Sequence, residues 1–137
     1  MDTQIEVEYL GELRTKAKHL KSKDELITDA PIDNKGLGRA FAPTDLLAAS
    51  VASCMITTMG IIAEGLEVDI EGVRASVKKV MSSKPRKVSE LHVDISFATD
   101  IPNEHKQALE LSAKNCPVAR SLDPNIKKFT AFNYKRS

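Results

Sequence analysis

Three observations predict an α+β fold in which an antiparallel sheet packs around one long buried helix. From Leu46 to Ala63 the chain carries no charge, although 28% of its 137 residues are charged. On both sides of that stretch apolar and polar residues alternate at the two-residue period of strands. No break in composition divides the chain, and its length suits one ordinary core, so residues 1–137 are expected to form a single domain.

Taken in order, Ile5, Val7 and Tyr9 alternate with Glu6, Glu8 and Leu10. Gly11-Glu12 then breaks the run before Leu13 to Lys18 resumes it, as in a hairpin. Lys21 to Asp24 form the next turn, and Leu26 to Thr28 a short third strand closed by Asp29, Ala30 and Pro31. The following loop, DNKGLGRAFAP, holds Gly36 and Gly38 at a spacing that does not cradle phosphates, so both read as parts of a flexible connector.

The charge-free helix opens with Pro43 just outside, Thr44 as a side-chain cap and Asp45 as an anion in the first turn. It closes at Gly65, a residue suited to the left-handed position after a helix. Leu46, Leu47, Val51, Met55, Ile56, Met59, Ile61 and Ile62 point around its whole circumference, which requires burial on all sides.

Beyond it, Leu66, Val68 and Ile70 alternate with acids, and Val73 to Met81 continues with Arg74, Ser76 and Lys78 outward, implying two antiparallel strands. Ser82 to Pro85 is a turn. Lys87 to Thr99 follows as the longest strand, with Val88, Leu91, Val93, Ile95 and Phe97 inward and a bulge between Val88 and Leu91. Asp100 to Asn103 cap a half-exposed helix over Glu104 to Asn115, its stripe drawn from Ala108, Leu111 and Ser112. Ile126 to Lys135 is the final strand.

Several function classes are set aside at this level. Net charge is +1 with acids and bases interleaved, so neither nucleic acid nor an anionic membrane is expected as a partner. The acidic start MDTQIEVEYL lacks the pattern of a secretory signal, and a cytoplasmic location is expected. The helix reaches the length of a membrane span, yet it is rich in Ala, Ser and Thr without flanking aromatic or basic anchors, and a core helix is the preferred reading. Two cysteines without nearby histidines are too few for a zinc cage; His19, His92 and His105 are scattered as surface or strand residues.

Two thiols remain as candidate chemistry. Cys54 lies mid-helix, with Ser50, Val51, Thr57 and Thr58 one turn away; alone, such a cysteine is usually a small hydrophobe. Cys116 precedes Pro117 and so stands at a helix N-terminus, where free N–H groups favour a thiolate, with Arg120 one turn further on. They lie about 62 residues apart, so only the fold can bring them together.

The segment PTDLLAASVASC, followed by strands, a half-exposed helix and a second cysteine in AKNCPVARSL, resembles the OsmC and organic-hydroperoxide-resistance (Ohr) family, and the order of elements fits from Ile5 to Tyr134. The resemblance implies an OsmC-like fold formed as an intertwined homodimer, which would cover a helix apolar all round. It also implies a thiol peroxidase without metal, flavin or haem, acting on small hydrophobic hydroperoxides. Cys54 would be the peroxidatic thiolate, Cys116 the resolving thiol, and an external dithiol the reductant. The family's arginine, which activates the thiolate, would be Arg39, with Arg14 and Arg120 as alternatives. The glutamate that commonly supports this arginine is replaced here by the uncharged Thr44; Asp45, next along, is the substitute candidate. These departures resemble the divergent OsmC-like branches. A rival from another class is a protein of the same fold that binds an apolar or thiol-reactive ligand without turnover.

Overall fold

Residues 2–135 are described by a computed structural model, and their backbone forms two three-stranded sheets and three α-helices. Two units divide at Leu47 and Ala48.

In the first unit, β1 (Ile5–Gly11), β2 (Arg14–His19) and β3 (Glu25–Asp29) form an antiparallel meander. Glu12 and Leu13 make the first turn, both with positive φ (55° and 63°), the backbone that a two-residue hairpin needs to follow the twist of its strands. The pleat sorts the residues cleanly. Val7, Ala17 and Leu26 line up on one face, and Glu8, Lys16 and Ile27 on the other, where Lys16 reaches both Glu8 and Glu25. The apolar face is left open: Ile5, Val7 and Tyr9 are exposed.

The segment after β3 is not a loose connector. A 3-10 turn at Ile32–Asn34 folds it back, Gly36 and Gly38 donate their N–H groups to the carbonyls of Pro31 and Ala30, and Phe41 returns to bridge Thr28. Gly36 is needed because a Cβ there would overlap the carbonyl of Ala30. The expectation of flexibility is therefore corrected: spacing excluded a phosphate loop, but it could not reveal backbone pressed against backbone.

Helix α1 (Pro43–Leu66) starts two residues earlier than expected. Pro43 occupies its first position, where the missing N–H costs nothing, and Thr44 follows inside the helix rather than capping it. The cap position falls to Ala42, whose N–H donates to Asp45 Oδ2 at 2.9 Å, the reciprocal half of a capping box. The far end also runs on past Gly65. Glu67 takes the left-handed conformation (φ 57°), and the N–H groups of Glu67 and Val68 return to the carbonyls of Glu64 and Ala63, a Schellman closure without glycine.

The burial of α1 departs from expectation as well. In one chain only the stripe Ala48, Val51, Ala52, Met55, Met59 and Ala63 is buried, while Ile61 is 66% exposed. Composition fixes what a helix can bury, not how many of its sides a single chain covers.

In the second unit, β4 (Arg74–Ser83), β5 (Arg86–Ser96) and β6 (Lys127–Asn133) form a sheet in that order. The alternation at Leu66 to Glu71 forms no strand. Asp69 instead accepts the N–H of Glu71, and Gly72 turns the chain with φ 85° before β4 begins. Within β4, Arg74, Ser76 and Lys78 point outward as expected. The bulge foreseen between Val88 and Leu91 is present: Val80 pairs with Glu90 and Met81 with Val88, so Ser89 is the extra residue and its hydroxyl donates to the Val80 carbonyl. That step lets Val88 and Leu91 both face inward, with Val93, Ile95 and Phe97.

All but one of the ladders are antiparallel as predicted; β6 runs parallel to β5, because two helices carry the chain back across before it pairs. The first of them, α2 (Asn103–Lys114), buries Leu109 and Ala113 rather than Ala108 and Leu111; Leu111 is exposed. The second, α3 (Pro117–Ser121), starts from Cys116 as predicted. Leu91, Ile95 and Leu109 are fully buried, each worth about 1.5–3 kcal/mol in water-removal terms. The chain end is tied to α2 by Tyr134, which stacks on Phe97 and donates to Glu110 Oε2.

Candidate functional site

In the second unit α1 presents Cys54 on the flank of its buried stripe, beside Val51 and Met55, so the sulfur is half-buried. Cys116 reaches the same place by another route. Asn115 closes α2, and Pro117 then forces the residue before it into extended backbone: Cys116 has φ −64° and ψ 151°. Its thiol is completely buried.

The two side chains are near enough to influence each other, and both are reduced. Burial pushes the Cys116 thiol up from its ordinary pKa, and the contact with Cys54 adds to this. The N–H groups of Ala119 and Val118 pull the other way; they favour an anion on the sulfur without forming a strict capping bond. The net direction is upward, which favours the protonated form of Cys116. Arg120, one turn on, gives its backbone N–H to the Cys116 carbonyl, and the residue is exposed.

Neighbouring thiols can lose two electrons together to an oxidant and form a disulfide. Among the described residues no group of three His, Cys, Asp or Glu side chains is arranged to hold a metal ion.

The first unit holds a charge cluster. Asp29, at the end of β3, is 2% exposed and accepts from two arginines. Arg14, its cross-strand partner, donates Nε to Oδ1 at 2.8 Å and Nη2 to Oδ2 at 3.1 Å, a two-pronged grip. Arg39 adds its backbone N–H at 3.0 Å and Nε at 3.2 Å, both to Oδ2. The Arg14 hydrogen bonds outweigh the cost of burial and, with those from Arg39, hold the Asp29 carboxyl well below the usual carboxylate range. Arg14 is raised in turn, first by the hydrogen bond to Asp29.

Arg39 and Arg14 are thus alike in being fixed on one buried carboxylate. Asp29 escaped sequence reasoning because it looked like a turn residue. The signal that could have found it is the hairpin register, which sets Arg14 directly opposite.

Asp45 is placed in the first turn of α1, where it accepts the Ala42 N–H. Nine residues of helix separate it from Cys54, which is about two and a half turns and therefore the opposite side of the cylinder. Thr44 is half-buried in the same turn and carries no charge.

Comparison with known proteins gives this chain a family and structural neighbours. The family model described as OsmC-like protein matches residues 35–129. A crystal structure from Psychrobacter arcticus 273-4, of a protein provisionally named for osmotic stress induction and the detoxification response, is 47% identical, with 97% of each chain covered and a TM-score of 0.94. An organic hydroperoxide resistance protein OsmC from Legionella pneumophila shares 18% identity, with 97% of each chain covered and a TM-score of 0.76. The organic hydroperoxide resistance protein OhrB of Bacillus subtilis shares 15%, covering 97% of this chain and 98% of its own, with a TM-score of 0.69. The last two likenesses concern the fold alone. Comparison with curated proteins found no match.

Proposed function

For a chain that belongs to the OsmC-like family and brings two distant thiols together in an apolar setting, we propose a thiol-dependent peroxidase acting on organic hydroperoxides. The observation that carries this reading is the neighbouring pair of Cys54 and Cys116, drawn from α1 and from the residue before α3.

The chemistry balances with the residues at hand. The Cys54 thiolate attacks the outer oxygen of ROOH, the O–O bond breaks, and the leaving alkoxide takes a proton to give ROH and a Cys54 sulfenic acid. The Cys116 sulfur then attacks the Cys54 sulfur; water leaves and a disulfide forms. An external dithiol returns both sulfurs to thiols, becoming a disulfide itself. Burial suits Cys116 to the second step rather than the first, since a thiol that keeps its proton is a poor attacking group for peroxide. By the family resemblance an arginine, Arg39 first among the candidates, would stabilise charge on the leaving oxygen. The apolar residues flanking Cys54, Val51 and Met55, favour organic hydroperoxides over hydrogen peroxide.

The same reading includes a homodimer in the cytoplasm. Its support is the uncovered apolar surface on each unit: Ile5, Val7 and Tyr9 on the first sheet, and Ile61 and Ile62 on α1.

The test is turnover of an organic hydroperoxide with a dithiol reductant. Wild type should turn over, Cys54→Ser should lose at least hundredfold, and Cys116→Ser should complete the first oxidation without cycling through the disulfide. Equal turnover in wild type and Cys54→Ser would overturn the proposal. Thr44 in place of a charged support favours a second reading, a ligand-binding protein without turnover. Native mass measurement showing a retained small molecule, in protein whose thiols resist hydroperoxide, would support that one.

A further inference from the structure

We infer that the second unit holds a binding site for a small amphipathic anion, an apolar body with one oxyanion head, in the cavity beside β6. The inference is independent of the thiol chemistry, since neither cysteine lines this cavity. Its basis is the way the pleat of the sheet sorts apolar and charged side chains around one opening.

The cavity encloses about 730 Å³, a volume suited to a small-molecule ligand. Its walls come from four elements: Met55 of α1, Val93 of β5, Lys114 in the last turn of α2, and residues 128–131 of β6. The strand β6 ends its sheet, so within the described chain no further strand covers its far edge.

The register decides what faces inward. Lys128, Thr130 and Phe132 stand opposite Leu91, Val93 and Ile95, all three buried, and share their inner face. His92, Asp94 and Phe129 belong to the outer face, where His92 stacks on Phe129 with 4.6 Å between centroids and meets Glu90 at 2.9 Å. Asp94, the acid in the lining, therefore stands on the opposite side of the pleat from the two lysines.

Inside, the lining runs from apolar to cationic. Met55 and Val93, 1% and 3% exposed, supply an apolar floor, and a methionine adapts its shape to what it touches. Thr130, half-buried, adds a hydroxyl. Lys114 and Lys128 are solvent-exposed, and the Lys114 ammonium is drawn over the inner face, 5.9 Å from the Phe132 ring centroid. Among the described residues neither lysine is paired with a carboxylate. Two unneutralised cations above an apolar floor attract an anionic head and repel a cationic one, while the floor takes up the apolar body.

The experiment titrates the full-length protein with octanoate and follows the methyl NMR signal of Met55, assigned by its loss in Met55→Leu. Octanoate should shift that signal saturably, 1-octanol should bind at least about tenfold more weakly, and octyltrimethylammonium should leave it unmoved. Lys114→Ala and Lys128→Ala should each weaken octanoate about fivefold, and Lys114→Arg and Lys128→Arg should stay within about twofold of wild type because the charge remains. Added salt should weaken octanoate and spare octanol.

A Met55 signal that octanoate does not move overturns the inference, including the case in which a second copy of this chain already fills the cavity. Equal affinity for octanoate and octanol overturns it as well. So does wild-type octanoate affinity in both alanine variants, the result expected of adsorption to the exposed Ile61 and Ile62 of α1. None of these readouts requires peroxide turnover, so failure of the peroxidase reading would leave them unchanged.

Discussion

Oxidation should leave a large mark on stability. A disulfide between Cys54 and Cys116 closes a loop of about 62 residues. In the chain-entropy picture a loop of ~62 residues removes ~14 cal/mol/K from the unfolded ensemble, or ~4 kcal/mol at 25 °C. Strain should subtract little, because the thiols are already neighbours in the reduced protein. With an unfolding entropy of ~2.1 cal/mol/K per residue, a 137-residue chain gains ~15 °C in melting temperature from ~4 kcal/mol. The assay is calorimetry of protein treated with one equivalent of organic hydroperoxide, before and after reduction, with peptide mass mapping to identify the cross-link and Cys116→Ser as control. A cross-linked sample that melts within about 2 °C of the reduced one would refute the reasoning, since the native geometry would then be strained or the loop already ordered when unfolded.

Two further outcomes follow from the first unit. Gly36→Ala should cost about 3 kcal/mol, the upper end for overpacking, because the new methyl meets the Ala30 carbonyl and not a yielding side chain; an unchanged urea midpoint would contradict it. Asp29 titrates lower in the folded than in the unfolded chain, so the unfolded state binds more protons between the two values. Its contribution is complete above about pH 5 and lost progressively as pH falls through the unfolded and then the folded value. The gap in urea midpoint between wild type and Asp29→Asn should therefore be constant from pH 5 to 8 and shrink below pH 4; a gap as wide at pH 2 as at pH 7 would show that the carboxylate's charge is not what stabilises the unit.

Much of the fold was legible because local patterns carried it. The charge-free run gave α1, alternation gave the strands, and the misfit of Val88 against Leu91 gave the bulge at Ser89. Where the reading failed, two patterns competed or distance mattered. Leu66 to Glu71 alternates, but Asp69 and Gly72 supply turn chemistry that the period does not register. In α2 the stripe of Leu109 and Ala113 was hidden by Leu111, whose size suggested burial it does not have. The parallel pairing of β6 follows from the helices between it and β5, a topological fact rather than a periodic one. In the candidate site, Cys116 was legible through Pro117, which fixes both its backbone and its place before α3. Asp29 was not, because its meaning depends on Arg14 across the sheet and Arg39 returning from the loop.

The central claim is that Cys54 is the sulfur oxidised by peroxide and Cys116 the one that resolves it. The most direct measurement treats Cys116→Ser with one equivalent of organic hydroperoxide in the presence of dimedone, a trap for sulfenic acids, and maps the adduct by mass spectrometry. The account predicts a single adduct on Cys54 in the variant, and in wild type a Cys54–Cys116 disulfide with almost no adduct. An unmodified Cys54 after excess hydroperoxide would contradict it.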